Sequence, residues 1–391
     1  MSEHVNLRIP GPTPLPERVR EAGSSQMLNH RGPEFRELIT RVTQRLQRAF
    51  RTQNDVLTLT ASGTGGMEAA VVNHLSQGDP VLAVSIGSFG DRFAEVATRY
   101  GAQVVRHDVE WGRAARPEQV SEALAKMAAE GRPAKAVLLT HNETSTGVTN
   151  PLEELAAAAR DASPDTLIIV DGVSGLGAVP FDNDGWGLDI VATGSQKSWM
   201  VPPGLAMVSV SERAWQAAAT ASMPRYYFDL AEARKFLGKG ETPWTPAVSV
   251  LLQLDVALDM LEAEGYEQIF ARHAACGAAA RAGLEAMGFR LLAEREHASN
   301  TVTAAWLPDG VEWSALNREL LARNLVLAGG QGKLAGRILR IGHLGAVSVD
   351  EVVSAIETIE AAALELGLAV ESGAGPSAAS EAGREAVPTP A

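Results

Sequence analysis

Three short stretches carry residue types that could do chemistry together. In TGSQKSWMVPPG, residues 193–204, Lys197 stands past an apolar run and just before two prolines. In LIIVDGVSGLG, Asp171 directly follows an apolar run, at the kind of strand end where open α/β sheets bind ligands. In SGTGGMEAAV, residues 62–71, small polar residues follow one strand-like run and open a helix-like one. Backbone N–H groups at such a start can hold an anion, with Gly65 and Gly66 allowing close approach. The loop is neither a P-loop nor a dinucleotide fingerprint, because Gly-Lys-Ser/Thr and G-x-G-x-x-G are both missing from it. Alone, each stretch has a plainer reading, as a structural lysine, a turn-capping carboxylate or a glycine turn. Together they supply what pyridoxal 5'-phosphate requires. An amine forms the Schiff base, a carboxylate pairs with the ring nitrogen, and a helix start receives one phosphate. Lys197 is therefore read as the amine that carries this cofactor.

These residues need a sheet to position them. From about residue 55 to 211, apolar β-branched runs such as VLTLTAS, VLAVSI, AVLLTH, TLIIVDGV and DIVATGS alternate with helical patterns. Continuously apolar runs are expected of strands covered on both faces, and their alternation with helices indicates a mostly parallel α/β sheet. Residues 222–246, rich in tyrosine, proline and glycine, read as an excursion from that sheet. The pattern then turns helical to about Gly288, and a smaller α+β unit follows. We place an N-terminal arm at 1–20, a large cofactor-binding domain at 21–255, a small C-terminal domain at 256–370, and a disordered tail at 371–391.

Composition narrows the function classes. The 391 residues are 46% hydrophobic and 21% charged, ordinary for a globular chain with a sizeable core. A net charge of −13 argues against nucleic-acid or basic membrane-surface binding. No signal segment or spanning run is apparent, so a cytoplasmic location is expected. The single cysteine, Cys276, lies in a helix-like stretch and excludes an intrachain disulfide. His30, His141 and His343 form no ligand spacing, so no metal site is expected.

SGTGGMEAAV, HNETSTGV, VDGVSGLG, TGSQKSWMVPPG and ILRIGHLG, in this order, resemble the class V aminotransferases of PLP fold type I. GSFGDRF, TPWTPAV and AGGQGKLAGRILRIG resemble the microbial members of its alanine/serine–glyoxylate branch, which include serine–pyruvate and aspartate aminotransferases and a soluble hydrogenase subunit. The resemblance runs from GPTPLP to the last helix before the tail. It implies a large domain with a mostly parallel, seven-stranded-type sheet and a smaller C-terminal α+β domain. By the same resemblance, Lys197 holds the cofactor and shuttles the proton, and Asp171 pairs with the ring nitrogen. Thr64, Gly65, Gly66 and Gln196 lie on the phosphate side. Phe89 stacks on the ring where many relatives have tryptophan, and Ser145 runs beside it. Thr245 reaches the phosphate of a partner subunit, implying a homodimer with shared active sites. Gly66 stands where many relatives have histidine, which removes one side-chain contact. Arg340 corresponds to the clamp on the substrate carboxylate, a role suited to its planar fork, although a lone arginine is more often half of a surface ion pair. Asn29 and Arg31 either face the substrate side chain or start a helix.

The expected activity is transfer of an amino group from a small amino acid, alanine or serine, to a 2-oxo acid such as glyoxylate or pyruvate, with ping-pong kinetics. Aspartate as donor and a non-catalytic subunit of a larger complex are the alternatives. A desulfurase would need a cysteine on a mobile loop, which Cys276 does not provide.

Overall fold

The computed structural model describes residues 5–386. Its main sheet has seven strands: β1 (Asp55–Ala61), β2 (Pro80–Ser85), β3 (Gln103–Asp108), β4 (Ala136–Thr140), β5 (Leu167–Asp171), β6 (Ile190–Gly194) and β7 (Gly204–Val210). They lie in the order β1-β7-β6-β5-β4-β2-β3. Only β7 runs against its neighbours, pairing antiparallel with both β1 and β6. The central strands AVLLT, LIIVD and IVATG are buried along their whole lengths, as runs without polar alternation must be when helices cover both faces. The edge strand β3, QVVRHD, carries the charged residues instead.

The sheet positions the site through its strand ends. Adjacent parallel strands β5 and β6 put Asp171 opposite Ala192, so the segment that continues to Lys197 leaves the sheet beside Asp171. Helix α1 (Pro33–Phe50) packs against α4 (Val248–Glu264), tied by ion pairs from Arg41, Arg45 and Arg48 to Asp255, Asp259 and Glu262. Helices α2 (Gly63–His74) and α3 (Ser88–Arg99) open at the ends of β1 and β2. A second sheet of four strands follows, with β9 (Val302–Trp306) and β11 (Ile338–Gly342) at its centre and β8 (Arg290–Leu291) and β10 (Ala328–Gly329) at its edges. Its apolar face meets α5 (Tyr266–Ala286) and α6 (Val349–Glu365) in a separate core that includes Leu284, Leu316, Ile341 and Ile356.

The N-terminal segment links the two sheets. Asn6–Leu7 pairs in parallel with Leu325–Val326, and Arg8 O accepts from Gly342 N at 2.7 Å. The chain then reaches Lys197, where Thr13 Oγ1 donates to the Lys197 carbonyl at 2.9 Å.

The expected disordered tail needs correction. Ala374–Glu385 forms a helix, α7, that packs on α5 and α6. Its small residues Gly375, Ala379 and Gly383 recur every fourth position and form the buried face. Such a stripe has no hydropathy signal, yet it lets helix backbones approach closely: a Cβ at Gly383 would stand 2.4 Å from Val349 Cγ1. The buried Glu360 carboxylate accepts from Gly373 N and Gly375 N at 2.6 and 2.8 Å, anchoring the start of α7. Residues 387–391 of the expected tail lie outside the described part. Gly383→Val should overpack this contact, at a cost of about 1–3 kcal/mol. Hydrogen exchange should show amide protection lost in 374–385 first; unchanged protection there would contradict this packing.

Candidate active site

Lys197 sits in the turn after β6, and its side chain is buried. Its Nζ donates to Pro10 O at 2.6 Å, and a Cβ on Gly11, whose φ is +133°, would lie 2.7 Å from that amine. The N-terminal segment therefore walls the lysine, and only glycine leaves it room there. No carboxylate lies within ion-pair distance of Lys197 among the described residues. Burial therefore lowers its pKa to about 8, with Asp171 opposing the shift and Arg340 and Arg92 adding to it.

Asp171 ends β5 and is fully enclosed. Its Oδ1 accepts from Val173 N at 2.9 Å, and its carbonyl accepts from His141 N at 2.9 Å. Burial raises its pKa to about 7; the Val173 hydrogen bond and the positive charges of Lys197 and Arg92 oppose this, while the charge of Glu143 adds to it. A carboxylate so poised is stabilised as the anion by any cation brought against it, such as a protonated ring nitrogen.

Helix α2 opens at Gly63 after Ser62, which caps it with no side-chain hydrogen bond. The first amides of a helix have no intrahelical acceptor, so those of Gly63, Thr64 and Gly65 are offered to a ligand. Gly66 is different. Its N–H already donates to Ser62 O at 3.1 Å, and a Cβ there would point at Ala206 and Ala192 in the sheet. Gly66 thus serves close packing of α2 on β7 and β6. Gly63, which the sequence reading passed over, takes its place. Buried Gln196 Oε1 has no hydrogen-bond partner, and it and Gly63 N both lie within about 3 Å of one point beside Gly194. The glycine-lined helix start offers the donors that a single phosphate takes, and Gln196 could add to them only through its Nε2 amide, because Oε1 is an acceptor.

Phe89 is the second residue of α3 and half-exposed, with the Arg92 guanidinium 4.9 Å from its ring centroid. Arg92 makes no ion pair among the described residues. Ser145 is buried; its hydroxyl donates to Glu143 Oε1 at 2.6 Å and accepts from Ser88 N at 2.9 Å. Its one proton is thus committed within the protein, and toward a ligand it can only accept.

Arg340 lies mid-strand in β11, buried, paired opposite Ala304 and Ala328. Its Nε donates to Gly329 O at 2.9 Å and Nη1 to Thr144 O at 3.2 Å. Two carbonyls take two of five donors, and the rest of the fork has no protein anion bonded to it. Burial pulls its pKa down to about 10, with Glu143 opposing. A buried guanidinium without a carboxylate is what a substrate carboxylate would complete.

Three expected residues are not brought to this cluster by any contact. Arg31 donates to Glu241, Thr242 O and Pro243 O, and lies 5.3 Å over Phe236. Asn29 Oδ1 accepts from Arg31 N, the arrangement of a turn before α1. Thr245 is exposed in the 241–246 segment that Arg31 anchors. Cys276 is buried in α5 with its thiol pushed up to about 12, so it is a packing residue. Among the described residues no cluster of metal ligands occurs, and no helix is long and apolar enough to cross a membrane.

Glu143, Pro10, Gly11 and Val173 belong to the site and were missed by sequence reasoning. Only Glu143 had a signal: a carboxylate inside HNETSTG, directly after the apolar run AVLLT, has to be buried.

The model of the family described as "Aminotransferase class-V" matches residues 7–340. The chain is 44% identical to a Synechococcus sp. protein named soluble hydrogenase, small subunit, over 97% of this chain and 98% of that one. It is 37% identical to a serine–glyoxylate aminotransferase of Methylorubrum extorquens, over 97% and 96%. A solved aspartate aminotransferase of subgroup IV from Thermus thermophilus superposes with a TM-score of 0.85, at 34% identity, covering 92% of this chain and 99% of that one.

The lowered Lys197 pKa makes a prediction for the cofactor-free protein. Only the neutral amine attacks an aldehyde, so the rate of attachment of added pyridoxal phosphate should rise with pH and level off above about 8. Stopped-flow absorbance measures it; a rate still climbing toward pH 10 would mean an ordinary exposed lysine.

Proposed function

The chain belongs to the class V aminotransferase family, and we propose that it transfers the amino group of alanine or serine to glyoxylate or pyruvate. It is a pyridoxal-phosphate-dependent transaminase of PLP fold type I. The observation that carries the reading of the site is Lys197, buried beside Asp171 at adjacent strand ends with no carboxylate to neutralise it.

When bound, pyridoxal phosphate supplies an aldehyde that condenses with amines and a ring that accepts the electron pair released at the substrate Cα. The residues would act as follows. The amides of Gly63, Thr64 and Gly65, with Gln196, hold the phosphate. Asp171 keeps the ring nitrogen protonated, and Phe89 packs on the ring. The free fork of Arg340 takes the substrate carboxylate, which fixes the orientation of the Cα–H bond. Lys197 Nζ, when not bonded to the cofactor, would take the proton from the substrate Cα as general base and give it back as general acid. A pKa near 8 suits both directions of that transfer at neutral pH. With the donor's oxo acid leaving before the acceptor enters, the kinetics would be ping-pong.

The commitment of Arg31 to residues 241–243 supports a small neutral donor, because it removes the most obvious second carboxylate clamp. One observation favours aspartate as the second reading: Arg92, unpaired and lying over Phe89, could meet a distal carboxylate. The exposed Tyr226 and Tyr227, stacked with Trp244 next to Thr245, support a homodimer in which this segment faces a partner's phosphate site. A cytoplasmic location fits the same reading.

The test is an absorbance spectrum of the loaded protein between about 300 and 500 nm, with L-alanine, L-serine or L-aspartate added in turn. The long-wavelength band should move to shorter wavelength with alanine or serine. A shift with aspartate alone would favour the second reading. A band unmoved by all three would overturn both.

A further inference from the structure

Glu143 is the one fully buried carboxylate near Lys197 to which no step above gives a role. It sits three residues after the end of β4, where its side chain crosses to the start of α3, 54 residues earlier in the chain. Oε2 accepts from Phe89 N at 3.0 Å and from Gly90 N at 3.1 Å. Oε1 accepts from Ser145 N at 3.0 Å and Ser145 Oγ at 2.6 Å. Ser145 Oγ in turn accepts from Ser88 N. The residue before α3 is Gly87, which has no side chain to cap the helix; a Cβ there would stand 2.4 Å from Glu143 Cγ. Glu143 and Ser145 therefore satisfy the opening amides of α3 from a distant part of the chain. The contrast with α2 is informative: one helix start is filled by a protein carboxylate, the other is left for a ligand.

We infer that Glu143 is a positioning residue: its four hydrogen bonds fix the start of α3, and so the Phe89 ring, while its charge acts on the cofactor site. This rests on the transaminase reading of that site. The Glu143 charge acts on two groups of the site, raising the Asp171 pKa and opposing the fall in that of Arg340, while Lys197 and Arg92 act on Asp171 from the other side. His141, two residues away, is held neutral by burial, with a pKa of about 4. Three cations thus face two carboxylates. Burial raises the Glu143 pKa, and the four hydrogen bonds oppose that by stabilising the anion. Its negative charge pushes the Asp171 carboxyl toward its neutral form and holds Arg340 toward its charged one.

The test uses the holoenzyme and two readouts other than turnover: visible circular dichroism of the cofactor band, which reports how the ring is held, and the pH midpoint of that band. In Glu143→Gln, which keeps the volume but turns an N–H₂ toward N–H donors, the dichroic amplitude should drop. The midpoint should move by about half a unit or more, because the charge acting on Asp171 and Arg340 is lost. Ser145→Ala keeps the charge and removes the hydroxyl bridge, so it should lower the amplitude and leave the midpoint in place. Both readouts unchanged in Glu143→Gln would overturn the inference. If that variant does not fold, an unchanged amplitude in Ser145→Ala overturns it and a lowered one supports it. Wild-type protein without any cofactor band would instead overturn the functional reading, and this inference with it.

Discussion

Holding an unpaired amine and a carboxylate out of water, side by side, is the constraint on which the rest of this structure depends. Desolvation pushes each toward its neutral form, so Lys197 falls to about 8 and Asp171 rises to about 7. An ordinary fold would relieve both by letting them pair. Here the amine is directed to the Pro10 carbonyl and the carboxylate to the Val173 amide, so neither neutralises the other. The free energy that this arrangement withholds from folding remains available to a ligand with a cationic ring nitrogen and an aldehyde. Arg340 follows the same logic, with two backbone carbonyls aiming it and no anion completing it.

Such a cluster must be gripped from several sides, and the HNETSTG stretch does much of the gripping. The His141 amide holds the Asp171 carbonyl, Glu143 and Ser145 hold the start of α3, and the Thr144 carbonyl aims Arg340. Asn142 donates to Thr301 Oγ1 and accepts from Ser299 Oγ, joining the main sheet to the smaller one. The N-terminal segment makes a second link, from Gly342, at the end of the strand of Arg340, to the amine of Lys197. Substrate and cofactor residues drawn from two sheets are thus held in one register by two short polar segments.

What the sequence made legible follows from this physics. Runs such as LIIV and IVA, apolar at every position and buried on both faces, read as central strands, so the ends carrying Asp171 and leading to Lys197 could be placed side by side from the sequence. Glycines were harder. SGTGG showed a phosphate-type helix start, but which glycine offers its amide and which packs on the sheet depends on the first helical hydrogen bond, which takes the Gly66 amide and leaves that of Gly63. Helix α7 was invisible because its buried stripe is glycine and alanine, residues whose packing value lies in backbone approach rather than hydropathy. The Pro10 carbonyl and the Val173 amide are backbone groups, and no residue type announces them. Glu143 was readable in principle as a charge in a stretch otherwise suited to burial.

The central claim is that the Lys197 amine, and no other, carries the cofactor. Borohydride reduction of the loaded protein followed by peptide mass mapping tests it most directly, because reduction fixes the Schiff base as a stable amine on whichever lysine holds it. The account predicts the pyridoxyl group on the peptide containing Lys197 and its disappearance in Lys197→Ala. A label on any other lysine, or one that survives that substitution, would contradict it.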